Sequence, residues 1–153
     1  KYSKDNKYKT LLNVAVPAGM WQKMEEIVCD DRDRKHIQNL RKKYGNLVRN
    51  LWNPFDRNNE KILGCTTVNR LYISPLGDVL VCPYVHIKIG NILEQPLKEI
   101  VDNGFKVKYF RNHSSLCLAG EDTNFISKFM TKEKQSIFNP SLARDIFSKE
   151  EMK

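Results

Sequence analysis

Apolar positions along this chain come in short runs whose period changes several times. Thr10-Leu-Leu-Asn-Val-Ala-Val16 is Val/Leu-rich and is stopped by Pro17-Ala18-Gly19, which predicts a buried strand. From Asp31 or Asp33 to Tyr44 the pattern turns helical. Ile37, Leu40 and Tyr44 recur on one face, acids crowd the start, Arg41-Lys-Lys43 closes the last turn, and Gly45 supplies the stop. Leu47 to Trp52 predicts a second strand, and strand, helix, strand in this order predicts a βαβ unit with a parallel sheet.

The pattern shifts at Asn53-Pro54, and residues 54–63 are polar and turn-rich, as a linker into a second module would be. That module opens with a predicted hairpin: Arg70 to Ile73 and Val79 to Cys82 flank the turn Ser74-Pro-Leu-Gly-Asp78. Alternation sets Tyr72 on one face and Leu71 and Ile73 on the other. Pro96 to Val101 predicts a short helix with Pro96 near its first turn, and Phe105 to Arg111 a second helical or irregular piece. Glu121-Asp122 then start a helix with Phe125, Ile126 and Phe129 on one face. Residues 131–153 read as a charged tail, broken at Asn139-Pro140 and ending in an amphipathic turn around Leu142, Ile146 and Phe147.

Composition narrows the class. At 153 residues the chain holds one domain with a real core, or a small domain attached to part of another; it begins with Lys1, which suggests a section of a longer protein. No apolar run reaches 18 residues and no signal peptide is visible, so a cytoplasmic protein without a membrane partner is expected. The formal charge of +8 admits a nucleic-acid partner, an anionic substrate or a basic surface. The lysines are spread and interleaved with acids, and no basic cluster carries exposed aromatics, so nucleic acid is not the expected partner. Four cysteines in 153 residues are too sparse for a disulfide scaffold.

Three of those cysteines lie in a patterned stretch. Gly64-Cys65 precedes the hairpin, Cys82-Pro83 ends it, Gly90-Asn91 follows, and Cys117-Leu-Ala-Gly120 comes late. Sixteen residues separate Cys65 from Cys82 and 34 separate Cys82 from Cys117, so the thiols meet only if the chain folds back; the hairpin brings the first two to the same end. A soft metal or an iron–sulfur cluster would hold them. Structural zinc sites draw cysteines in C-x2-4-C pairs, and no such pair occurs here. Buried thiols acting as plain hydrophobes are the bland reading. Trp21 and Trp52 read as packing residues, Gly77-Asp78 as turn chemistry, and Gly90-Asn91 as a tight turn near the thiols, offering N–H groups to sulfur.

The series Gly-Cys, Tyr72-Ile-Ser-Pro-Leu-Gly-Asp-Val-Leu-Val-Cys82-Pro83, Gly90-Asn91, a Pro-led helix and a late Cys117 before an acidic helix start resembles the auxiliary-cluster module of radical S-adenosylmethionine enzymes, the SPASM or shorter twitch domain. The resemblance runs from Gly64 to about Met130. Upstream, Thr10 to Trp52 is similar to the last strands of the partial (β/α)6 barrel of such enzymes. The resemblance implies an α/β (α+β) chain: residues 1–53 as the terminal βαβ portion of a barrel, 54–63 as linker, 64–130 as a SPASM/twitch-like module built on a β-hairpin and short helices, and 131–153 as a tail with a short helix.

It also implies Cys65, Cys82 and Cys117 as ligands of one auxiliary [4Fe-4S] cluster. Gly120 stands where the twitch pattern often has a further cysteine, and no later cysteines exist for a second cluster. The fourth iron is then open to substrate or held by another group, with His113, His86, Asp122 and Cys29 as candidates. By themselves His86 and His113 read as hydrogen-bonded or surface histidines and Cys29 as an ordinary cysteine, whose neighbours Asp30 and Asp31 raise its pKa.

Pro17 and Gly19, at a strand's C-terminal end, are where barrel enzymes bind ligands, and so are cofactor-binding candidates. The cysteines at 29, 65, 82 and 117 cannot form the C-x3-C-x2-C motif that holds the cofactor-cleaving cluster, so that motif and the S-adenosylmethionine site are expected upstream. The function implied is electron relay or substrate anchoring during radical modification of a peptide or small molecule, with flavodoxin or ferredoxin as electron donor. The alternative is a non-enzymatic zinc-stabilised binding module, with nucleic acid as its candidate partner.

Overall fold

The computed structural model describes residues 2–12, 15–21, 24–50, 65, 70–112, 114, 116–131 and 138–152. After a short N-terminal helix, α1 (Tyr2–Asp5), strand β1 (Thr10–Leu12) pairs in parallel with β2 (Val48–Asn50), in the register Thr10↔Val48 to Leu12↔Asn50. Helix α2 (Asp31–Tyr44) joins them, so the expected parallel βαβ unit is present. Local chemistry sets both ends of α2. Asp30 accepts the Asp33 N–H while the Asp33 carboxylate takes the Asp30 N–H, a reciprocal cap, and Gly45 at φ +51° ends the helix. Leu51 and Trp52, the linker 54–63 and Gly64 lie outside the described residues.

The second sheet has four strands in the order β3 (Tyr72–Ile73), β4 (Asp78–Cys82), β5 (Val85–Asn91) and β6 (Ser141–Leu142). The first three form the antiparallel hairpin series and the last runs parallel to β5. Ser74 builds the first turn: its hydroxyl accepts the N–H groups of Leu76 and Asp78, and Gly77 at φ +82° closes it. A methyl at Gly77 would stand 2.6 Å from Asn91 Oδ1, so both space and dihedral exclude a side chain.

Helix α3 (Leu97–Lys106) runs five residues past the segment that sequence predicts and packs on β5, with Ile100 fully buried. Gly90 permits that approach, because a methyl there would come within 2.7 Å of Ile100 Cγ1. Gly90 is therefore a strand residue paired with Val79, not a turn beside the thiols. Asn91 pairs with Asp78 at the end of the hairpin away from Cys82, and its amide donates to Leu76 O and Asp78 Oδ1.

Helices α4 (Lys108–Arg111) and α5 (Thr123–Phe129) complete the core together with α6 (Ala143–Ile146). Phe125, Phe129 and Phe147 surround the Tyr109 ring at centroid distances of 5.2–5.8 Å, and Phe110 meets Phe147 edge-on at 5.5 Å. The stretch from Ser141 onward thus supplies a strand, a core aromatic and the buried Glu151, more than an appended turn. Trp21 is 53% exposed and so does not play the packing role expected of it. No helix among the described residues is long and apolar enough to cross a membrane.

Candidate metal centre

The hairpin carries Cys82 to the last position of β4, where it pairs with Val85, the first residue of β5. The intervening Pro83-Tyr84 turn bends back over the sulfur: the Tyr84 N–H reaches Cys82 Sγ at 3.5 Å and the Val85 N–H also bonds it. Cys117 repeats this arrangement in a different part of the chain. Its sulfur takes the N–H groups of Ala119 and Gly120, and its carbonyl takes those of Gly120, Glu121 and Asp122. Each cysteine therefore sits in a knuckle that aims the second and third following N–H groups at its sulfur. Donors so placed favour a thiolate, as the sulfur ligands of a metal or cluster require.

Cys65 completes the group. Its N–H donates to Ser114 O at 2.8 Å, which ties it to the strand of chain leading into Cys117, and it packs against the core. Burial pushes the Cys82 thiol up to about 11, with the Cys65 charge adding to it and the Tyr84 and Val85 N–H groups opposing. Burial drives Cys117 higher still, reinforced by charge on Cys65 and Cys82. The three thiols are thus electrostatic neighbours. Without a cation two of them hold their protons at neutral pH, and binding one releases protons.

Among the described residues no three His, Cys, Asp or Glu side chains close to the distances of a single metal ion. A structural zinc would need its sulfurs within about 2.3 Å of one ion. In a [4Fe-4S] cluster each thiolate meets a different iron, so the sulfurs stand further apart. Two buried cysteines with N–H donors on sulfur, plus a third thiol beside them, make a soft donor set of the kind thiolate-bound metals use.

The fourth-ligand candidates separate. Asp122 caps α5, its carboxylate accepting the Phe125 N–H at 2.9 Å. Cys29 lies before α2 and its charged neighbours are Glu121, Asp33, Arg34 and Asp30; burial and then Glu121 push its thiol up to about 11. His86 has Nε2 3.2 Å from Pro83 O, in the Cys82 knuckle, and burial lowers its pKa, which keeps the ring neutral. His113 lies outside the described residues. Pro17 lines an apolar cleft of about 420 Å³ with Met24, Val28, Ile126 and Met130, while Gly19, at φ +60°, opens a 3-10 turn.

Sequence reasoning overlooked Glu121. Its carboxylate is 4% exposed, accepts the Cys117 N–H at 2.9 Å and receives Arg34 Nη1 at 3.1 Å. The signal was an acid four residues after a cysteine, close enough to turn back on that cysteine's own N–H. The Arg34 contact, across 87 residues, left no trace in local pattern.

Buried thiols with amide donors on their sulfurs are the donor chemistry that soft metals and iron–sulfur clusters take. Residues 65–120 match the family model for SPASM, an iron–sulfur cluster-binding domain, and the matched segment begins on Cys65 and contains Cys82 and Cys117. No curated protein and no solved structure matches the chain.

Proposed function

We propose that this chain is the cluster-bearing C-terminal section of a radical S-adenosylmethionine enzyme, with Cys65, Cys82 and Cys117 holding one auxiliary [4Fe-4S] cluster. The observation that carries the reading is the pair of matching knuckles at Cys82 and Cys117, inside the segment that matches the SPASM model. Such a group supplies one-electron chemistry or an open iron for substrate. The chain's own share is to exclude water around Cys82 and Cys117, to aim N–H groups at their sulfurs, and to offer His86 beside Pro83 as the fourth donor if that iron is not left to substrate.

The parallel unit β1–α2–β2 supports reading residues 1–53 as the end of a partial (β/α)6 barrel. The cofactor-cleaving C-x3-C-x2-C motif and most of the S-adenosylmethionine site then belong upstream, with Pro17 and Gly19 at the barrel's ligand-binding end. The substrate is a peptide or small molecule and the electron donor a flavodoxin or ferredoxin, in a cytoplasmic enzyme.

Anaerobic reconstitution with iron and sulfide tests the proposal. The expected product binds close to four irons and four sulfides per chain. Replacing Cys65, Cys82 or Cys117 by alanine lowers that content, and Cys29→Ala does not. A protein that takes up zinc but no iron, or whose iron is indifferent to the three substitutions, overturns the reading.

A further inference from the structure

A second cavity lies at the other end of β5 from the thiols. It has a volume of about 650 Å³ and is bounded by β5, α3 and the β6–α6 junction. Cys82 pairs with Val85 at the start of β5, whereas the cavity opens over Lys88 to Asn91, three to six residues along the strand and so roughly 10–20 Å away. Its volume is that of a small-molecule site.

The lining is unequal in charge. Lys88 is answered by the buried Asp78, whose Oδ1 lies 2.9 Å from its Nζ. Lys106 donates instead to a neutral group, Asn103 Oδ1 at 2.8 Å, rather than to a carboxylate. That bond also turns the Asn103 amide so that its NH₂ remains to donate elsewhere. Arg144 stands 3.9 Å from Asp145, with both side chains largely in water, a contact that neutralises little. Against these cations the cavity wall carries one acid, Glu94. Ile89 and Ala143, both 5% exposed, add apolar surface to the lining.

We propose that this cleft binds a small organic anion, its carboxylate or phosphate monoester head between Lys106 and Arg144 and its apolar part over Ile89 and Ala143. Two cations and an amide donor lining one cleft are the groups that recognise an oxyanion, and apolar residues in the same lining select an anion with a hydrocarbon body over a bare inorganic ion. The site is independent of the thiols and stands or falls without any cluster.

The test titrates the full chain with hexanoate and, separately, phenyl phosphate at constant ionic strength, reading amide chemical shifts. Saturable shifts at Asn103, Lys106 and Arg144 are expected with at least one probe, and the probe that binds tells which head group fits. Lys106→Gln with Arg144→Gln should weaken that binding roughly tenfold or more, and Glu94→Gln should strengthen it. Lys98→Gln, on an 87% exposed lysine of the same helix whose partner is Asp102, should leave it unchanged. All these positions are at the surface, and matching circular dichroism shows that the variants fold. Absence of saturation with both probes, affinity unchanged in the double variant, or equal loss with Lys98→Gln overturns the proposal.

Discussion

The Glu121 carboxylate accepts the backbone N–H of Cys117 at 2.9 Å, so the turn that carries the sulfur is closed by a side chain four residues on. Because the same carboxylate receives Arg34 of α2, the knuckle is tied to the N-terminal βαβ unit.

Glu121→Ala is therefore expected to cost about 1–3 kcal/mol, since it strands a buried N–H and removes one of the partners of the Arg34 guanidinium, which keeps Asp31 and Cys29 O. Glu121→Gln keeps an acceptor for one of the two donors and should cost less. Chemical denaturation measures both. Iron retained after reconstitution should fall in the same order, Ala below Gln below the parent.

The Cys29 thiol, held near 11 by burial and by the acids around it, is almost wholly protonated at neutral pH. Alkylation by iodoacetamide at pH 8, followed by mass spectrometry, should run roughly tenfold or more slower at Cys29 than at an exposed cysteine of ordinary pKa. The rate should climb until about pH 11. Glu121→Gln removes a negative neighbour and should speed the reaction at fixed pH.

Burial pushes the Glu151 carboxyl up, but Lys128 Nζ at 2.6 Å and the Ser148 N–H at 2.9 Å outweigh it and hold the group near 2. A carboxyl whose folded pKa lies below its unfolded value stabilises the fold above the unfolded value and loses that contribution as pH falls. Stability should therefore decline between pH 4.5 and about 2. Lys128→Met should flatten that decline and lower the melting temperature at neutral pH while leaving it closer to the parent at the acid end.

Gly77→Ala should destabilise by about 1–2 kcal/mol, because a residue with a Cβ resists φ +82° and its methyl would strike Asn91 Oδ1. Gly19→Ala, at φ +60° with open space around it, lacks the steric part and should cost less. Thermal melts of the two variants make the comparison.

What was legible in the sequence was local. Asp30, Asp33 and Gly45 mark the ends of α2 within their own turns, and Ser74 and Gly77 mark the first hairpin. The hairpin predicts the approach of Cys65 and Cys82, whereas the bond that fixes Cys65 goes to Ser114, far along the chain. Strand β6 was not legible, because Ser141 and Leu142 are too few to show a period and gain their structure from Ile87 and Lys88, far back in the chain. Helix α3 runs on through Asn103 and Gly104, poor helix formers that packing retains. Gly90-Asn91 has turn composition, yet serves as strand because a bare position there admits Ile100. Tertiary contact decided each of these, as it did the Arg34–Glu121 pair.

The parallel pairing of β6 with β5 sets an order of events during synthesis. Residues 85–91 leave the ribosome about fifty positions before Ser141, so β5 spends that interval with one edge unpaired and Phe129 without its Phe147 neighbour. All three cysteines are already outside by then. The knuckles therefore emerge while the aromatic core is still open, and the last stretch, from Ser141 to Glu151, closes the core behind them.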